Sequence, residues 1–288
     1  MNPAPHALRP ASHLQCGRFT LALDRPLIMG VVNVTPDSFS DGGRYATLES
    51  AVARARQLIA EGADIVDIGG ESTRPGAQAV ALEEERRRVL PVIEALAQCG
   101  VPVSVDTHKA QLMREAIAAG ASLVNDVSAL EDRDALQSAA ELDAAVCLMH
   151  KRGDPRTMQD DPHYEDVVRE VHDYLAQRLD AALAVGIARS RIVIDPGFGF
   201  GKTFEHNLAL LRGLAAFNSL GVPVMVGLSR KAMLGRITGR APLERIHASV
   251  AAALFAVEHG AAILRVHDVA ATRDALAVWG AVRGTIAH

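Results

Sequence analysis

Short apolar runs recur along the chain, each ending in polar or glycine residues and each followed by a longer stretch with helical spacing. The runs are LIMGVVNV from Leu27, IVDIGG from Ile65, VPVSVDT from Val101, LVNDVS from Leu123, AVCLMH from Ala145, IVIDPG from Ile192, VPVMVGLS from Val222 and ILRVHD from Ile263. None alternates strictly between apolar and polar positions, the pattern of parallel strands buried on both faces. Between them lie amphipathic segments such as Ser50–Glu61, Glu83–Gln98, Lys109–Gly120, Tyr164–Gly186 and Leu243–Gly260, several stopped by a glycine suited to a C-terminal cap. Eight strand–helix units in 288 residues predict an α/β protein, a single-domain (β/α)8 TIM barrel, rather than an open doubly wound sheet.

Composition narrows the setting. Hydrophobic residues make up 49% and charged residues 22%, enough to bury a core. Thirty Lys and Arg against 34 Asp and Glu leave a net charge of −4, without the basic excess that a nucleic-acid partner requires. Cys16, Cys99 and Cys147 are widely spaced and form no CxxC pair, so neither a disulfide framework nor a zinc site is expected and a reducing compartment fits. The N-terminal stretch lacks the apolar core of a signal peptide and no run is long enough to span a membrane. The expectation is a cytoplasmic protein. Residues 1–20 hold prolines and no periodicity, and are read as a poorly ordered extension outside a barrel domain over 21–288. Two connections, TPDSFSDGGRY after the first run and ESTRPGAQAV after the second, exceed a simple βα turn and suit loops that cover a substrate.

In a barrel the strand ends converge on one mouth. The runs deliver Asn33, Glu71 with Thr73 and Arg74 just beyond, Asp106, Asn125 and Asp126, His150, Asp195, the triplet Ser229, Arg230 and Lys231, and finally Arg265, His267 and Asp268. So many polar ends exceed what a packed barrel needs. Some have a structural alternative. Asp106, Asp195 and Asp268 also suit helix N-caps, Asp126 reads as structural, and Glu71 and His150 read as internal supports of the loops. Arg265 and His267 share one strand face by the period of two and fit an anion such as a diphosphate or carboxylate. The string DPGFGFGKT invites a nucleotide reading, but Pro196 stands where a P-loop requires glycine. Phe198 and Phe200 either face a flat ring or pack in the core.

The strings GVVNVTPDSFSDGG, GADIVDIGGESTRPGA, SVDT, NDVSAL, CLMH, DPGFGFGK, GLSRK and RVHD, in this order, closely resemble the dihydropteroate synthase family from about Leu27 to Ala270. The resemblance implies a transferase of folate synthesis. The diphosphate ester of 6-hydroxymethyl-7,8-dihydropterin and p-aminobenzoate would give 7,8-dihydropteroate and diphosphate. It also implies that Asp106, Asn125, Asp195 and Lys231 hold the pterin, with Met149 and Phe200 lining its pocket, and Ser229 is expected among the substrate-binding residues. Asn33 would contact Mg²⁺; Thr73, Arg74, Arg265 and His267 would surround the diphosphate; Phe39 and Pro75 would help form the p-aminobenzoate site, which is the sulfonamide target. Asp106, Lys231, Arg265 and His267 carry the catalytic expectation, by SN1-like loss of diphosphate followed by amine attack, and a homodimer is implied. Two positions depart from the pattern. Ala232 stands where serine often follows the lysine of the SRK string, leaving backbone N–H groups of the next helix to meet the aminobenzoate carboxylate, and His108 stands where serine is common. Competing readings are a barrel that moves a methyl group from a reduced folate to a corrinoid protein, against which the STRPG and SRK strings argue, and a pterin-binding protein without turnover.

Overall fold

The computed structural model describes residues 11–34, 43–71, 79–153 and 157–284, and each of the eight apolar runs forms a parallel strand of one closed barrel. In chain order these are β3 (Leu27–Asn33), β4 (Ile65–Gly69), β5 (Val103–Asp106), β6 (Leu123–Asp126), β7 (Ala145–Met149), β8 (Ile192–Asp195), β9 (Val224–Val226) and β10 (Ala261–Val266), with β10 closing on β3. The outer layer consists of α1 (Gly43–Ala60), α2 (Leu82–Leu96), α3 (Ala110–Ala118), α4 (Arg133–Glu141), α5 (Val167–Ala184), α6 (Phe204–Arg212), α7 (Ala232–Thr238), α8 (Ile246–Glu258) and α9 (Val269–Arg283). The expected segment Leu243–Gly260 divides into a 3-10 turn at Pro242–Glu244 and α8. The expected Tyr164–Gly186 helix begins at Val167, where the Asp166 side chain accepts from the backbone N–H groups of Val168 and Arg169.

The period of two along each strand separates two cores. Ile28, Val32, Val66, Ile68, Val105, Val124, Val146, Ile194 and Leu264 point outward into the layer shared with the helices. Leu27, Met29, Ile65, Leu123, Ala145, Cys147, Val193, Met225 and Ile263 point inward and fill the lower barrel. Two positions above the inward residues of β4, β6, β8 and β10 come Asp67, Asn125, Asp195 and Arg265. The interior thus changes from apolar to polar in one step along the strands, because side chains on the same face recur every second residue.

The N-terminal expectation needs correction. Within the stretch read as a poorly ordered extension, β1 (His13–Cys16) and β2 (Phe19–Ala22) form an antiparallel hairpin, so the boundary placed at residue 20 cuts a strand. Leu14 and Cys16 are fully buried and join the lower interior core, with Phe19 and Leu21 packed against it. The hairpin closes the end of the barrel opposite the polar mouth, and burial pushes the Cys16 thiol up to about 12. Among the described residues no helix is long and apolar enough to cross a membrane.

Candidate active site

Arg265 lies at the centre of the polar layer. Its Nε donates to Asp67 Oδ2 at 2.7 Å and its Nη2 to Asp106 Oδ2 at 2.8 Å, joining β10 to β4 and β5 across the barrel. Asn125 Nδ2 donates to the same Asp67 oxygen at 3.2 Å. Asp67 and Asn125 are buried, and their Oδ1 atoms have no hydrogen-bond partner among the described residues. Burial opposes the charge of Arg265, but the carboxylates of Asp67 and Asp106 outweigh it and hold the guanidinium firmly protonated. Burial drives the Asp106 carboxyl up to about 7, opposed by Arg265 and reinforced by Asp67. Asp195 is also raised by burial, against the pull of the Gly197 N–H, which donates to its Oδ1 at 2.7 Å, and of Lys231.

A cavity of about 990 Å³ opens above this layer. Asn33, Asp106, Phe200, Ser229, Lys231, Arg265 and His267, all expected at the site, line it. Lys231 Nζ stands 4.3 Å from the centroid of the Phe200 ring, so a cation and an aromatic face form one wall. Ser229 Oγ accepts from the His267 backbone N–H at 3.2 Å and lies 3.1 Å from His267 Nδ1, fixing the imidazole between β9 and β10. Met149, 5% exposed, closes β7 in register with Asp195 at the end of β8. Thr73, Arg74, Phe39 and Pro75 lie outside the described residues.

The structural alternatives resolve individually. The N-cap of α3 is Lys109 and that of α6 is Thr203, so neither Asp106 nor Asp195 caps a helix. Asp268 occupies the N-cap position of α9 without a side-chain cap bond; its carboxylate instead takes Arg230 Nε at 3.0 Å and Nη2 at 2.5 Å. Asp126 is structural: it accepts from the N–H groups of Ser128 and Leu130 in a turn where Ala129 and Leu130 have positive φ. Glu71 also lines the cavity and is held by Lys109 Nζ at 2.5 Å, and the same ammonium bonds the buried Glu85 of α2. His108 is exposed at the surface before α3.

Two residues escaped the sequence reading. Asp67 sits inside the run IVDIGG, two positions from Ile65 and therefore inward, a signal available from the same period that paired Arg265 with His267. Lys202 was read only as part of a glycine-rich string, yet it is 2% exposed and lines the cavity.

As for a metal, Asn33 offers a neutral amide oxygen at the cavity wall, and the described residues contain no group of three or more His, Cys, Asp or Glu able to hold an ion by themselves. A single hard oxygen donor fits Mg²⁺ that arrives with substrate phosphates and keeps several waters.

The model for the pterin binding enzyme family matches residues 29–267, most of the chain, and this defines the class: a pterin-binding barrel enzyme. The chain is 53% identical over 275 residues to dihydropteroate synthase of Neisseria meningitidis serogroup B, spanning 93% of this chain and 96% of that one. Its structure matches that of Xanthomonas albilineans dihydropteroate synthase with 4-aminobenzoic acid at a TM-score of 0.90 and 56% identity, covering 95% of this chain and 98% of the other. It matches Burkholderia cenocepacia dihydropteroate synthase complexed with 7,8-dihydropteroate at 0.86 and 50%, covering 96% and 97%. The chain belongs to the dihydropteroate synthase group of the pterin-binding enzyme family.

Proposed function

We propose that the cavity joins the diphosphate ester of 6-hydroxymethyl-7,8-dihydropterin to p-aminobenzoate by an SN1-like route, as a transferase of folate synthesis. The observation that carries this reading is the polar layer itself: two buried carboxylates and an amide gathered around Arg265, with Oδ1 acceptors on Asp67 and Asn125 that have no partner among the described residues. A pterin edge rich in N–H groups supplies the donors those acceptors lack. Asp106, Asn125 and Asp195 would hold that edge, and Phe200 with Lys231 would cover the ring face, with Met149 next to Asp195 on the neighbouring strand. Ser229 and His267, with Arg265, would face the diphosphate, together with Thr73 and Arg74.

The C–O bond to diphosphate breaks first and the leaving group takes both electrons; the methylene cation is delocalised into the pterin ring. Asp106, desolvated and close to ionisation near neutral pH, stabilises that cation electrostatically. The neutral arylamine then forms the C–N bond and releases a proton to solvent. Mg²⁺ held by Asn33 and the diphosphate would disperse the charge of the leaving group. Phe39 and Pro75 would complete the aminobenzoate side, where Ala232 brings no hydroxyl. We further propose a homodimer, supported by the exposed Phe255, Val278 and Val282 on α8 and α9, and residence in the cytosol, in keeping with three free cysteines.

The test uses dihydropterin diphosphate labelled with ¹⁸O at the bridging position, incubated with Mg²⁺ and without p-aminobenzoate. Scrambling of label into non-bridging positions is expected. Retained label, with clean inversion at a chirally labelled methylene during turnover, would contradict the SN1-like route. Absence of diphosphate release with both substrates present would overturn the function itself.

A further inference from the structure

Lys202 ends the loop between β8 and α6, and its side chain turns back into that loop. Nζ lies 2.8 Å from Gly197 O, 3.1 Å from Phe200 O and 2.9 Å from His150 Nδ1. Nζ thus donates to two carbonyl oxygens of its own loop and shares a third hydrogen bond with the His150 ring nitrogen. Burial pushes the Lys202 pKa down and Asp195 opposes the fall. Burial, followed by the nearby Lys202, pushes the His150 pKa down to about 2 and keeps the ring neutral.

The loop has no slack around this anchor. A Cβ on Gly197 would stand 1.8 Å from His150 O, and one on Gly201 2.2 Å from Arg152 O, so the β8–α6 loop lies directly against the chain after β7. Both glycines have positive φ, at 69° and 63°. Tyr164 Oη donates to Gly201 O at 2.9 Å, and the His150 ring packs edge-on against Tyr174 at 4.9 Å. Phe200, whose ring meets Lys231, is thus suspended between two carbonyls of a loop whose interior Lys202 ties together.

We propose that Lys202 is a positioning residue: by binding Gly197 O, Phe200 O and His150 Nδ1 at once, it sets the Phe200 ring and the Lys231 ammonium at the spacing that accepts the pterin. The inference rests on the reading of the Phe200–Lys231 wall as the pterin site.

A double-mutant cycle of Lys202→Met and Phe200→Ala, read as KM for each substrate, tests it. Lys202→Met should raise KM for dihydropterin diphosphate about 10-fold or more, as misplacement of a supporting group does. KM for p-aminobenzoate should stay within about 2-fold, and the pterin effect should vanish when Phe200→Ala is already present. Additive effects of the two substitutions, or equal effects on both substrates, would overturn the proposal. A Phe200→Ala variant that leaves pterin KM unchanged would instead overturn the underlying site reading. Should Lys202→Met not fold, His150→Phe keeps the ring packing and removes one acceptor: a rise in pterin KM that is absent in the Phe200→Ala background supports the proposal, and wild-type KM overturns it.

Discussion

The lower and upper halves of the barrel interior are built by the same strands on the same face, yet they do opposite things to stability. Below, Met29, Ile65, Leu123, Val193, Met225 and Ile263 pack against one another and against Leu14 and Cys16 of the N-terminal hairpin. Every side chain there gains from leaving water. Above, the next inward positions bury Asp67, Asp106, Asn125 and Asp195 around a half-buried Arg265, with acceptor atoms on Asp67 and Asn125 unpartnered among the described residues. Burying such groups costs free energy that only their mutual pairing and a bound ligand offset. The lower half stabilises the fold so that the upper half can hold groups chosen for chemistry.

The largest expected effect lies in the upper half. Arg265→Met removes the cation that bridges Asp67 and Asp106 and leaves two buried carboxylates without their ion pair. A loss of about 3–5 kcal/mol in stability is expected by urea unfolding, with kcat/KM down about 100- to 1000-fold. Next comes the lower half: Met29→Ala, at a fully buried position, should cost roughly 2–5 kcal/mol while kcat stays at the wild-type value. Loss of activity without loss of stability there would break the comparison.

Asp106→Asn sharpens it, because the two properties should move apart. The Asp106 carboxyl is raised to about 7 in the folded protein, against roughly 4 when unfolded. Between those values the unfolded chain releases this proton before the native one does, so the contribution of Asp106 to stability falls as pH rises and levels off above about 7. The asparagine variant should therefore gain stability over wild type as pH goes from 5 to 8, by an amount on the order of 1 kcal/mol, and lose most of its activity. A gap between the two proteins that narrows over that range would contradict the assignment. The smallest effect belongs to His108→Ser, a change at an exposed position, for which thermal stability within about 0.5 kcal/mol and unchanged KM values are expected.

The division between halves also explains which features the sequence made visible. All eight strands could be read because each is apolar on both faces and stops at polar residues, and the mouth could be read because those stops fall at corresponding strand ends. Arg265 and His267 were paired by the period of two, and Asp67 yields to the same rule when it is applied inside the run rather than only at its end. The hairpin was hidden by its composition: His13, Gln15 and Thr20 interrupt HLQC and FTLA, so neither carries a continuous apolar run, whereas β8, a barrel strand no longer than these, does. Lys202 was hidden for a different reason. Its partner His150 lies 52 residues away, and only the parallel pairing of β7 with β8 brings the two together.

The most direct test of the upper layer is a crystal structure with 6-hydroxymethyl-7,8-dihydropterin diphosphate bound. The account predicts the pterin edge within hydrogen-bond distance of Asp106, Asn125 and Asp195, its ring beside Phe200 and Lys231, and the diphosphate against Ser229 and His267. A pterin seated elsewhere in the cavity, with the Oδ1 atoms of Asp67 and Asn125 still without a partner, would contradict it.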